Sequence, residues 1–433
     1  MAANPVFHPW AAQDSVRQVV ITGGKGSWFW DGEGNRWLDL HAQLGNLHLG
    51  HQHPAVVAAV KAQAERMCTL GPAWGCEVRD EAARLILETL PGPFVSVLFT
   101  NGGADAVEHA LRMARLVTGR QKVLAAHRSY HGATDGAMNV TGDPRRWAAD
   151  AAGGRTVRFF APYLYRSEFH ATTPELECER ALHHVRQVLM YEGAHTVAAV
   201  IVEPVVGSNG VLVPPDGYLA GLRRICDEHG ILLVADEVMT GFGRCGAWSA
   251  CDVWGVEPDL LTFAKGVNSG YVPLGGVAMT ERVARAFGER PYPGGLTYSG
   301  HPLACASAVA SLRVLREQGL VERAERLGRK LVAPLLAELA ERSPLVGEVR
   351  GLGLAWAIEL VRDRETREPL APYAAPGPVT PVMAEVLAAC RRHGAWPLVA
   401  ANRVHLFPPL VITEGELEQG IAAIGRALAE VSA

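Results

Sequence analysis

The sequence predicts an α/β protein: a large, mostly parallel sheet covered by helices on both faces, with a smaller α+β unit beside it. Three observations carry this. Short apolar runs recur at 94–100, 122–126, 196–203, 231–236, 260–264 and 275–279, each of strand length. Helix-like segments fit between them, notably 104–118 and 218–229, and such alternation builds parallel sheets with crossover helices. From about His301 the pattern changes to two helices and a glycine-punctuated ribbon.

Composition sets the outer limits. The chain has 433 residues, 48% hydrophobic and 20% charged, with a formal charge of −4. That is enough for a large core and two domains, and it gives no sign of a nucleic-acid or anionic-membrane partner. The eight cysteines are scattered and form no CxxC pair. Neither a zinc knuckle nor a disulfide framework is indicated, and reduced thiols in the cytoplasm are expected. The segment Met1–Trp10 lacks the basic start and apolar stretch of a signal peptide. The longest apolar run, 197–202, is far too short to span a bilayer.

In chain order, Trp28-Phe-Trp-Asp-Gly-Glu-Gly34 and Trp37-Leu-Asp-Leu40 predict a hairpin that turns at 31–35. Pro54 opens a helix over 54–68, with proline at a favoured first-turn position and Gly71-Pro72 beyond its end. A second helix over 77–90 stops at Pro91-Gly92. The strand 94–100 then leads through Asn101-Gly-Gly103 into the helix 104–118. After the remaining strands, helices over 303–317 and 322–341 lead to the ribbon 346–360. A helix over 381–393, a strand over 403–407 and a last helix from Glu414 close the chain. The expected division is an N-terminal segment 1–53 joining the small domain, a large domain 54–302, and a small domain 303–433. The Pro/Ala-rich piece 369–378 reads as a linker or surface loop.

The chemistry sits at strand ends. Ile231-Leu-Leu-Val-Ala-Asp236 is an apolar run ending in a carboxylate, and Leu261-Thr-Phe-Ala-Lys265 one ending in a lysine. Both deliver charge to the C-terminal edge of the sheet, where ligands of open α/β sheets bind. They read either as a structural ion pair or as a pyridoxal phosphate (PLP) site. In the second case the lysine bonds the cofactor and the acid holds its ring nitrogen protonated. A desolvated lysine has a lowered pKa, which suits a nucleophile and proton shuttle. Asn101-Gly-Gly-Ala104 is a plain turn or a phosphate cradle at a helix N-terminus. Tyr130 of Ser129-Tyr-His-Gly132 is a turn aromatic or a ring that lies on the cofactor, and Glu203 of Val202-Glu-Pro204 supports that ring or caps a loop. Val238 would pack on the opposite ring face. Thr297, in Gly295-Leu-Thr-Tyr-Ser-Gly-His-Pro302, offers a hydroxyl for phosphate or simply precedes a helix.

Taken together, the order of glycine turn, Tyr-His-Gly, Glu-Pro, Asp-Glu-Val-x-Thr-Gly-Phe-Gly-Arg, Lys and Thr-x-Ser-Gly-His-Pro resembles the class III (subgroup II) aminotransferases over practically the whole chain. The resemblance implies the fold type I PLP architecture. It implies that the Gly103 and Ala104 amides bind the phosphate, Tyr130 stacks on the ring, Asp236 pairs with the ring nitrogen, Val238 covers the other face, and Lys265 carries the cofactor. It further implies that Thr297 binds the phosphate of the neighbouring subunit's cofactor, in a homodimer with shared active sites or a tetramer.

The departures concern the substrate. Many members using 2-oxoglutarate have Glu-Pro-x-x-Gly-Glu, whose second glutamate pairs with an arginine just before the late Pro-Pro. Here those positions are Ser208 and His405. Arg403 lies on the same strand face as His405 and is the candidate substitute. Met239 stands where the family usually has glutamine. Gly45 stands where related members often place Trp or Met, which would open the pocket and leave Trp74 or Trp10 to form its walls. These departures resemble the ω-amino acid or amine:pyruvate branch, including taurine–pyruvate-like enzymes. The implied reaction is ping-pong transfer of an amino group to a keto acid, pyruvate in preference to 2-oxoglutarate. An aminomutase, epimerase or decarboxylase on the same scaffold, or a cofactor-binding protein without turnover, remain the rival readings.

Overall fold

The computed structural model describes residues 5–16, 18–149, 154–373 and 379–431. Its centre is a seven-stranded sheet in the order Phe94–Thr100, Gly275–Thr280, Leu260–Phe263, Leu232–Asp236, Val197–Val202, Lys122–Ala126, Thr156–Phe159. Gly275–Thr280 is antiparallel to both neighbours. The other pairings are parallel. The strand ends at Ala126, Val202, Asp236 and Phe263 therefore share one edge.

The five inner strands bury both faces, which is why their runs are apolar without alternation. Val123 and Ala125 join the core under the helix Gly103–Thr118, while Leu124 and Ala126 face the helices Pro174–Glu192 and Tyr218–His229. The smaller region holds two further sheets. One runs Ile21–Lys25, Trp28–Asp31, Arg36–Asp39, Ala395–Trp396, so the two ends of the chain meet in it. The other runs Val346–Leu352, Ala355–Asp363, Arg403–Leu406, Leu398–Ala400, with the short strand Glu368–Pro369 paired to Ala355–Asp363.

The predicted hairpin, the helices at 54, 77, 104, 218, 381 and 414, and the six apolar strands are present, with ends shifted by up to two residues. One helix differs. The segment expected as continuous over 322–341 is Leu320–Leu327, a wide π-type turn Gly328–Val332, and Ala333–Arg342. Gly328 passes the backbone so closely that a Cβ there would lie 2.1 Å from the Gly353 carbonyl oxygen. Of the piece expected as a linker, Pro369 is in a strand, and residues 374–378 lie outside those described.

The two regions meet at a glycine seam. The Leu354 amide donates to the Arg244 carbonyl at 2.9 Å. The Arg244 guanidinium donates to the Leu354 carbonyl at 3.0 Å and the Pro408 carbonyl at 2.6 Å. Gly353 has φ +57°, and a Cβ on it would sit 2.4 Å from the Cys245 carbonyl carbon and from the Gly246 nitrogen. Both atoms are backbone and cannot step aside. Gly353→Ala is therefore expected to destabilise the protein by about 2 kcal/mol or more, read as a lower urea midpoint with an unchanged slope.

Candidate active site

Asp236 ends the central strand and is 3% exposed. Its Oδ1 accepts from the Val238 amide and the Thr262 hydroxyl, each at 3.1 Å. The register that sets Asp236 beside Thr262 supplies the second contact. Its Oδ2 meets Nδ1 of His131 at 2.6 Å. His131 is fully buried. Burial alone would lower its pKa, but the hydrogen bond and charge of Asp236 outweigh it and the pKa is raised. The histidine thus stands behind the carboxylate as a proton-bearing support.

Lys265 lies two residues beyond the neighbouring strand, at φ +44°. This left-handed backbone is rare for a side chain with a Cβ and is typical of functional positions. Close packing fixes the turn: a Cβ on Gly266 would meet the His48 ring at 2.5 Å. Burial lowers the Lys265 pKa to about 8, although Asp236 and Glu203 pull it upward. No hydrogen bond or ion pair engages its ammonium among the described residues.

Glu203 follows its strand and is buried. It accepts from the Tyr130 amide at 3.0 Å and the Gly207 amide at 2.8 Å. Burial raises its pKa to about 7. The geometry is that of a clamp on the Tyr130 turn. The Tyr130 ring carries the Arg145 guanidinium at 3.5 Å and the edge of Trp10 at 6.3 Å. Arg145 is tied to the Asp143 carboxylate, with Nε at 2.8 Å, and to the Ser208 hydroxyl at 2.9 Å.

The helix Gly103–Thr118 begins beside this cluster. Its N-cap, Gly102, offers no side chain, so the first amides lack the usual capping acceptor. A Cβ on Gly103 would stand 2.8 Å from both methyls of Val238, which places the helix start against the residue two beyond Asp236. An uncapped sixteen-residue helix N-terminus is an anion site by amide geometry and dipole. The residues fit PLP: amides for a phosphate, a buried carboxylate for a ring nitrogen, and an unpaired amine for an aldehyde.

The substrate-side candidates are less concentrated. Gly45 closes a run of left-handed residues, Ala42 to Gly45, and a Cβ on it would lie 3.2 Å from Cε of Met239. Met239 also fills the space against Gly207. Arg403 is buried, its Nε has no partner, and burial lowers its pKa to about 10. It sits 5.6 Å from the Tyr373 ring, and Tyr373 donates to Asn209 at 3.3 Å, two residues from Gly207. Glu359, directly across the strand pair, is saturated by Tyr163, Arg166 at 2.6 Å and Arg350 at 2.8 Å. His405 is stacked on Phe407, and its pKa is lowered to about 3 by burial and then by Arg403 and Arg350. A neutral imidazole so placed cannot hold a carboxylate. Trp74 and Thr297 are exposed on the single chain, and nothing joins them to its own Lys265 among the described residues.

Sequence reasoning did not single out three groups. His131 stood in the quoted motif, but its partner lies 105 residues away. Thr262 was hidden inside an apolar strand. Arg145, in Gly142-Asp-Pro-Arg145, gave only the look of a polar turn.

The family model for class III aminotransferases matches residues 10–428. The chain belongs to that family. This class III aminotransferase is 37% identical to the acetylornithine aminotransferase of Methanopyrus kandleri, over 95% of this chain and 94% of that protein. Among solved structures it is similar to the taurine:2-oxoglutarate aminotransferase of Bifidobacterium kashiwanohense, at 38% identity and TM-score 0.95 over 99% and 96% of the two chains. It is also similar to an amine transaminase from an uncultivated Pseudomonas species, at 35% identity and TM-score 0.93 over the full length of both. The enzyme is a PLP-dependent aminotransferase of fold type I. No helix among its described residues is long and apolar enough to cross a membrane.

Two outcomes are expected from this geometry. Because the folded Lys265 pKa lies below the ordinary lysine value of 10.5, the neutral amine appears above about pH 8. Covalent capture of PLP by apoenzyme should therefore accelerate through pH 8 and level off, and a midpoint near 10.5 would contradict the assignment. Asp236→Asn should retain PLP yet lower turnover by about 10²–10⁴, the scale of losing a positioned electrostatic or proton-transfer group. The measurement is single-turnover absorbance change with amine alone.

Proposed function

We propose that this aminotransferase moves an amino group from an amine or ω-amino acid to a keto acid, pyruvate preferred, by a ping-pong sequence at a site shared between two subunits of a cytoplasmic homodimer. In this reading Gly103 and Ala104 hold the cofactor phosphate and Tyr130 and Val238 hold the two faces of its ring. Thr297 reaches the neighbouring subunit's cofactor, and the domain boundaries fall near residues 53 and 302.

When bound, PLP supplies an aldehyde and a protonated ring that stores the electron pair released at the substrate carbon. The remaining work belongs to the chain. Asp236, backed by His131, keeps the proton on the ring nitrogen. Lys265 Nζ would take a proton from the substrate carbon and deliver one to the cofactor carbon that had been the aldehyde, as general base and then acid. Its lowered pKa keeps a usable fraction of neutral amine near neutral pH. Glu203 holds the Tyr130 turn so that the ring stays in place.

The acceptor preference rests on one observation: Arg403 is buried and has no partner at Nε, while Arg145, against the Tyr130 ring, is already paired with Asp143. Arg403 is thus a waiting cation for one carboxylate. A second reading, 2-oxoglutarate or a donor with a distal acid, is favoured by the position of Arg145 over Tyr130, and requires Asp143 to release it. An unpaired carboxylate entering a buried site costs on the order of several kcal/mol. Pyruvate is therefore expected to win over 2-oxoglutarate by roughly a hundredfold or more in kcat/KM. Arg403→Ala should raise the pyruvate KM and spare simple amine donors. Direct competition between the two keto acids is the measurement, and a win for 2-oxoglutarate overturns the preference while leaving the transaminase chemistry in place.

A further inference from the structure

Arg79 lies on the helix Glu77–Thr89, outside every motif above, and has no carboxylate partner among the described residues. Its guanidinium is spent on backbone carbonyls. Nη1 donates to Trp74 at 2.9 Å and Pro72 at 3.5 Å, and Nη2 donates to Leu70 at 3.1 Å and Gly71 at 3.5 Å. On its other side, Nε donates to the Gly300 carbonyl at 2.9 Å. Gly300 has φ +64°, and a Cβ there would collide with the Arg79 side chain at 2.5 Å. One planar fork therefore joins two loops that are 226 positions apart when counted from Trp74 to Gly300 (300 − 74).

The joined loops carry Trp74 and Thr297. Both are exposed on the single chain, as is Tyr298 at 60%. The Thr297 loop has a second tie: the Ser299 hydroxyl donates to the Phe99 carbonyl at 2.8 Å, on the strand that leads into the Gly102-Gly103 turn. Among the described residues the Trp74 loop has no comparable tie, and four of the five Arg79 bonds hold it.

We infer that Arg79 is a positioning residue that couples the substrate-side loop bearing Trp74 to the phosphate-side loop bearing Thr297, so that donor binding and cofactor binding at the shared site respond together. The inference rests on the proposal that these two residues serve the neighbouring subunit's site. A guanidinium suits the task because its donors diverge in one rigid plane, which a lysine ammonium cannot imitate. Ordering of the Thr297 loop against a phosphate is passed through Gly300 and Arg79 to the carbonyls of 70–74, and ordering of Trp74 against a donor is passed back.

The test uses full-length holoenzyme and five variants, reading the PLP dissociation constant and the KM for an amine donor. Trp74→Ala, which removes a contact and leaves the loop backbone in place, should raise the donor KM alone, whereas Ser299→Ala, which loosens the Thr297 loop, should raise the PLP dissociation constant and, through Arg79, the donor KM. Arg79→Ala should raise both, each about tenfold, with the loss in KM rather than in kcat. Arg79→Lys keeps the charge and checks that the fold persists, and it should recover less than half of either effect. If Arg79→Ala moves only one constant or neither, or if Arg79→Lys behaves as wild type, the coupling is wrong. Thr297→Ala separates this from the reading beneath it: unchanged PLP affinity in that variant would remove Thr297 from the phosphate site, whatever Arg79 does.

Discussion

The structure depends on holding two opposite charges, Asp236 and Lys265, out of water at the edge of an apolar sheet without letting them neutralise each other. A buried carboxylate needs donors, and Asp236 has three: a backbone amide, the Thr262 hydroxyl and the His131 ring. The Lys265 ammonium has no hydrogen-bond acceptor among the described residues, and its desolvation appears as a lowered pKa. The asymmetry is useful. The acid is fixed in position, while the amine is left unengaged. Burying an unpaired ammonium is costly, so the surrounding fold must hold it there, including the left-handed backbone at Lys265 and the glycine packed on His48.

A second buried cation does the mechanical work. Arg244 is fully buried, and burial lowers its pKa to about 10. It grips carbonyls of Leu354 and Pro408, so the loop that follows Asp236 is pinned to the smaller region. Pro408 follows the strand that carries Arg403 and His405. The same contact that closes the seam therefore also anchors the end of the strand that carries Arg403.

Much of this was legible in the chain. Strands buried on both faces must be apolar throughout, which made them visible as short runs. Pro54, Pro91-Gly92 and Gly230 mark helix ends for local steric reasons. Other parts left no local mark. Thr156–Phe159 is a four-residue edge strand that exists through its pairing with Lys122–Ala126. Ile21–Lys25 contains Gly23-Gly24, which reads as a turn until Trp28–Asp31 pairs with it. The π-type turn at Gly328 arises from contact with Gly353, twenty-five residues on (353 − 328).

The sequence by itself determined the chemistry: a carboxylate and a lysine at the ends of neighbouring core strands, a glycine turn opening a helix, and motifs in the order of the class III aminotransferases. These are properties of residue type and local spacing, and they hold wherever the chain folds at all. Tertiary structure decided what each charge meets. His131 supports Asp236, Asp143 occupies Arg145, four donors saturate Glu359, and Arg403 keeps an unpartnered Nε. A charge in a sequence has no partner until the fold excludes water and brings distant segments within hydrogen-bonding reach. Whether an arginine is a structural tie or a ligand for substrate is settled at that range of about three ångströms, and no spacing along the chain encodes it.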